Sequence, residues 1–146
     1  MSELKRDVVV VPLDFSDASA NALRVATELT GDVQKLRLIH VLPPLEAISP
    51  AVAWGDLSDD DREDSVREFA KTFLSKNGLA DASLAVRVGS PGHEITQYAA
   101  HQKADLIVIS SHGYHGLKRM LLGSVAEAVI RHAECAVLVL RRQDAE

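Results

Sequence analysis

Leu106 to Leu140 reads LIVISSHGYHGLKRMLLGSVAEAVIRHAECAVLVL. Two continuous apolar runs, Leu106-Ile107-Val108-Ile109 and Ala136-Val137-Leu138-Val139-Leu140, bracket a glycine-containing loop and one helical pattern. Short runs rich in β-branched side chains suit strands buried on both faces by crossover helices. The helix between them opens at Ser124 with Glu127 three residues on, the spacing of a capping box. Its inner face reads Val125, Val129, Ile130 and Ala133. Strand, helix and strand in that order make a parallel unit.

The same unit recurs toward the N-terminus. Val8-Val9-Val10-Val11 and Leu36-Arg37-Leu38-Ile39-His40-Val41 are two more strands, and Leu84 to Val88 alternates with Leu84, Val86 and Val88 on one face. Between them, Ser16 or Asp17 caps a helix striped by Ala22, Leu23, Ala26 and Leu29. A second helix runs from about Ser58 to Lys76, with Val66, Phe69, Ala70, Phe73 and Leu74 inward and Gly78 as its stop. Asp59, Asp60 and Asp61 sit in its first turn, where acids favour the helix dipole. Ser90-Pro91 opens the third, which shows Ile95, Tyr98 and Ala99. The pattern predicts a single α/β domain over residues 1–146, a Rossmann-like sandwich with five parallel strands and helices on both faces.

The chain's 146 residues, 47% hydrophobic and 25% charged, are enough for one core without a disulfide or metal staple. No apolar run approaches the ~20 residues of a spanning helix, so no membrane association is expected. A polar start and a single cysteine, Cys135, point to the cytoplasm. The formal charge of −5 lies wholly between Asp56 and Glu68, where seven acids meet two bases. An acidic chain argues against nucleic-acid binding. Leu106 to Ala126 contains no acid, which leaves room for a small anion.

In open parallel sheets, ligands bind beyond the carboxyl ends of the strands where strand order reverses. The loops to inspect are therefore Pro12-Leu13-Asp14-Phe15-Ser16 and Ser110 to Ser124. In the second, Gly113 and Gly123 let a bound group approach the main chain. The amides of Ser124, Val125 and Ala126 open a helix whose end carries about half a positive charge. Together these make a phosphate cradle, although neither a Walker A lysine motif nor G-x-G-x-x-G is present.

These residues resemble the universal stress proteins. Gly113, nine residues, then Gly123-Ser124 match the nucleotide-binding branch's G-x2-G-x9-G-[S/T], with Ser110 in place of the first glycine. Val8 to Ser16, the Ile39-His40-Val41 strand end and the Gly89-Ser90-Pro91 turn are similar as well. The resemblance implies strand order 3-2-1-4-5. It implies adenine near Asp14 and Val41, ribose near Ser110, and phosphates over Gly113, Gly123, Ser124 and Val125, with Pro12 and His112 expected among the nucleotide-binding residues. It further implies ATP, ADP or AMP as ligand, with any Mg held mostly by phosphate and water. A homodimer through Ala136 to Leu140 follows from the family, and also from the need to cover an apolar sheet edge.

Each of these residues also has a simpler role open to it. Ser124 can cap its helix and Asp14 its turn, while His112, His115, Lys118 and Arg119 can face solvent. Trp54 fits packing of its loop, and Cys135 fits a small buried hydrophobe. At Ser110, a need for positive φ would cost a serine about 1–2 kcal/mol. Were the glycine there only for close approach, the serine hydroxyl could bond ribose. No catalytic base, nucleophile pair or metal cluster stands out, so the expectation is a nucleotide-responsive regulator, at most a slow ATPase. An interaction module without nucleotide, engaging an unknown protein partner, and a nucleotide-processing hydrolase are the alternatives.

Overall fold

The structure is a computed structural model that describes residues 6–45, 58–111 and 122–141. These residues form five parallel strands: β1 (Val9–Pro12), β2 (Leu36–Leu42), β3 (Ser83–Val88), β4 (Leu106–Ser110) and β5 (Ala136–Leu140). Four helices connect them: α1 (Asp17–Thr30), α2 (Asp59–Lys76), α3 (Pro91–His101) and α4 (Ser124–His132). The sheet order is β3-β2-β1-β4-β5, as the resemblance implied.

Alternation along the strands builds two cores. Val9, Val11, Leu36, Leu38, Leu106 and Val108 face α1 and α2, meeting Ala22, Leu23, Ala26 and Leu74. Val10, Ile39, Ile107 and Ile109 face α3 and α4, meeting Ile95, Tyr98, Ala99 and Val129. The central strand β1 is fully buried at Val9, Val10 and Val11, which explains its unbroken valine run.

Local signals set the element ends. Ser16 caps α1 by accepting from the Ser19 amide at 3.2 Å, and Ser58 caps α2 by accepting from Asp61 at 3.1 Å. Gly78, at φ 71, stops α2, with Gly78 N–H donating to Ser75 and Leu79 N–H to Leu74.

One expectation for α2 needs correcting. Phe69 is 58% exposed, not inward. Ala70 and Leu74 take the buried line, while Phe69 and Phe73 flank it and meet Phe15. Arg62, one of the two bases in the acidic run, is buried. Its guanidinium donates to Asp59 Oδ1 at 3.0 Å and to the Pro43 carbonyl at 2.6 Å, so burial is matched by partners.

Candidate functional site

β1 and β4 pair only at Val9–Leu106 and Val10–Ile107. Beyond those pairs, β1 continues in register with β2 as far as Pro12–Ile39, and β4 continues with β5 as far as Ser110–Leu140. The two strands thus part at their carboxyl ends, where the sheet order reverses. A cleft of about 350 Å³ lies there, within the usual size of a small-molecule site.

Seven of the nine residues singled out from the sequence line this cleft: Pro12, Asp14, Val41, Ser110, Gly123, Ser124 and Val125. His112 and Gly113 lie outside the described residues, as do His115, Lys118, Arg119 and Trp54. The walls also include Ile39, Pro91, Ile95 and Ile109, so the cleft is largely apolar with polar groups at its rim.

One rim is the start of α4. Gly123, not Ser124, is its N-cap, at φ −73 and ψ 158, and no side chain among the described residues caps the helix. The expected capping box is therefore absent: Ser124 is one residue too far into the helix, and Glu127 pairs instead with Arg131 at 2.7 Å. Gly123 N–H donates to the Ser111 carbonyl at 2.6 Å, and Ser111 N–H donates to Leu140 at 2.7 Å. These bonds fix the helix start against the end of β4. The amides of Ser124, Val125 and Ala126 precede the first intrahelical donor, Glu127 N–H, and border the cleft, with the positive end of the helix dipole behind them. Gly123 has a backbone any residue can adopt, so what glycine contributes there is room.

Ser110 ends β4 in register with Leu140, and it is not among the described non-glycine residues with positive φ, which are Phe15 and Lys103. A serine at position 110 therefore carries no such strain.

The opposite rim is the β1–α1 turn. Asp14 Oδ1 accepts from the Ser16 amide at 3.0 Å and from the Ser16 hydroxyl, which orients its carboxylate and starts α1. Ser19, buried on the cleft wall, donates its hydroxyl to the Ser16 carbonyl at 3.0 Å. Sequence reasoning passed over His40 as a site residue. It lines the cleft, its Nδ1 lies 2.6 Å from the Leu13 carbonyl, and its ring stacks on Phe15. A histidine at a strand's carboxyl end, next to the expected adenine contact Val41, was the available signal.

A family model described as the universal stress protein family matches residues 5–141. The chain belongs to the universal stress protein family. Among its curated relatives, Universal stress protein MJ0531 of Methanocaldococcus jannaschii is 31% identical over 145 residues, covering 94% of this chain and 84% of the relative. Universal stress protein YxiE of Bacillus subtilis is also 31% identical, covering 91% of this chain and 97% of the relative. The solved structure of MJ0577 shares the fold at a TM-score of 0.80 and 24% identity, covering 96% of this chain and 99% of that one. A universal stress protein crystallised in complex with cAMP aligns at 0.63 and 26% identity, covering 92% of this chain and 96% of that one.

Among the described residues, no group of three His, Cys, Asp or Glu side chains is placed to hold a metal ion. No helix among them is long and apolar enough to cross a membrane.

Proposed function

We propose that this universal stress protein binds an adenine nucleotide in the cleft between β1 and β4 and acts in the cytoplasm as a nucleotide-responsive regulator. The observation that carries the reading is the α4 N-terminus: three successive main-chain amides, uncapped by any described side chain, face a cleft whose far rim holds an oriented carboxylate. Amides in that position favour phosphate, and Asp14 suits a hydrogen-bond donor of adenosine. Pro12 and Val41 supply apolar surface for the base, and Ser110 a hydroxyl for the ribose. A relative's complex with cAMP supports an adenine ligand for this fold. Any magnesium would arrive with the nucleotide and be held by phosphate and water.

Thermal unfolding with ATP, ADP, AMP and cAMP, each with and without magnesium, tests the reading. At 100 times the dissociation constant, binding adds about 2.7 kcal/mol, a rise in melting temperature of about 5–10 °C for a chain of this size. No rise with any of them at millimolar concentration would favour an interaction module that takes no nucleotide.

We also propose an isologous dimer through β5. Among the described residues this strand pairs only with β4, and its side chains from Val137 to Leu140 are half-buried within the single chain. Pairing with its copy would cover an apolar edge. Sedimentation at micromolar concentration should give the mass of a dimer; a monomer would contradict this.

A further inference from the structure

We propose that His40 is a positioning residue for the cleft, holding Asp14 in place through the main chain of Leu13 and the ring of Phe15. The proposal rests on the nucleotide-binding reading above.

Leu13 lies just past the end of β1 and is only 3% exposed. Both of its main-chain groups are held by β2: its N–H donates to the Ile39 carbonyl at 2.8 Å, and its carbonyl lies 2.6 Å from His40 Nδ1. A carbonyl only accepts, so the hydrogen belongs on Nδ1. In neutral His40 that leaves Nε2 as the acceptor nitrogen. The ring's first task is therefore to hold the residue immediately before Asp14.

Its second task concerns the residue immediately after. Phe15 sits at φ 64, a region bulky side chains rarely adopt. The turn persists because the Phe15 ring is held on several sides. It stacks on His40 with centroids 4.9 Å apart, and it meets Phe69 at 5.1 Å and Phe73 at 5.3 Å edge-on. All of the chain's phenylalanines thus gather at one turn. The reversal at Phe15 sends its ring toward the first core while Asp14 stays on the cleft wall. His40 consequently grips both neighbours of Asp14, one by a hydrogen bond and one by stacking.

The two grips separate by substitution. His40→Phe keeps an aromatic face for Phe15 and removes the donor. His40→Asn keeps a donor nitrogen near the place of Nδ1 and removes the stack. NMR on the full chain at about pH 8, with AMP titrated into wild type and both variants, reads each of them. In wild type the His40 nitrogens should show the Nδ1–H tautomer. His40→Phe should shift the amides of Asp14, Phe15 and Ser16 and weaken AMP binding about tenfold, the upper range for one lost hydrogen bond. His40→Asn should restore the Asp14 amide and most of the affinity, while the Phe15 amide stays shifted because the stack is gone. An Nε2–H tautomer in wild type, or His40→Phe binding AMP as wild type does with unmoved amides, would overturn the proposal. Wild type that binds no adenine nucleotide would instead overturn the nucleotide reading. The tautomer and the amides at 14–16 would still decide the role of His40; if His40→Phe fails to fold, the wild-type tautomer and the His40→Asn amides decide it.

Discussion

Among the helix N-termini that border the cleft, those of α1 and α4 are finished in opposite ways. The start of α1 is closed by its own chain: Ser16 caps it, Asp14 accepts from Ser16, and Phe15 is packed among His40, Phe69 and Phe73. The start of α4 has a glycine as its N-cap and no capping side chain among the described residues. A glycine cap leaves main-chain donors without a side-chain acceptor, at a cost of about a few tenths of a kcal/mol against a good cap. A stable fold tolerates that cost where water or a ligand supplies the missing acceptor. The pairing of a rigid, carboxylate-bearing rim with a donor-bearing rim is the physical content of the proposed site.

The comparison breaks most visibly at Gly123. Valine is compatible with φ −73 and ψ 158, so Gly123→Val should fold while its side chain fills the approach to the α4 amides. The nucleotide-dependent rise of about 5–10 °C should vanish, with the ligand-free melting temperature little changed. A retained rise would mean that phosphate does not approach there.

A comparable effect, on stability rather than binding, is expected at Gly92. An added Cβ would lie 2.5 Å from the Ala128 Cβ, so Gly92→Ala drives α3 and α4 apart. Overpacking of this kind costs about 1–3 kcal/mol, seen as a lower denaturant midpoint. Adding Ala128→Gly should recover most of the loss; failure to recover would place the cost elsewhere.

The serines give the sharpest contrast. Ser16→Ala removes a cap and the hydroxyl bond to Asp14, and should cost about 1 kcal/mol of stability by urea unfolding. Ser124→Ala removes no cap, so its stability should stay within about 0.5 kcal/mol while nucleotide affinity falls. Equal effects of both on stability would erase the distinction between the two rims.

The smallest effect is at Cys135, half-buried against the α3–α4 side of the sheet. Burial, with Asp105 and Glu134 nearby, pushes its thiol pKa above the ordinary value. The folded state therefore holds the proton more tightly than the unfolded chain. The associated stability is present below the unfolded pKa and declines as pH rises through the folded one. Alkylation should be slower than for an unfolded peptide at the same pH, and the difference should narrow above that window.

The layered fold was legible because β1, β4 and β5 rest on continuous apolar runs, β2 and β3 on apolar residues interrupted by polar ones, and every α-helix begins at a serine or at Gly123-Ser124. Strand order was not contained in those patterns; it came from likeness to a family, since pairing depends on contacts distant in sequence. The N-cap of α4 was misplaced by one residue because serine is the commoner cap and Glu127 stood at the right spacing. The burial of Arg62 was invisible inside a run of acids, as its second partner is a carbonyl 19 residues away. The His40–Leu13 contact spans 27 residues and left no local trace. Six cleft residues were legible because loops at the carboxyl ends of adjacent parallel strands must meet at the switch point, and the seventh, Val41, came from likeness to the family.

The central claim is that the α4 amides receive a phosphate, and amide NMR with AMP and adenosine in parallel tests it most directly. The account predicts that AMP shifts the Ser124, Val125 and Ala126 amides while adenosine leaves them in place, and that both ligands move Asp14 and Val41. AMP that perturbs residues elsewhere and leaves those three amides unmoved would contradict it.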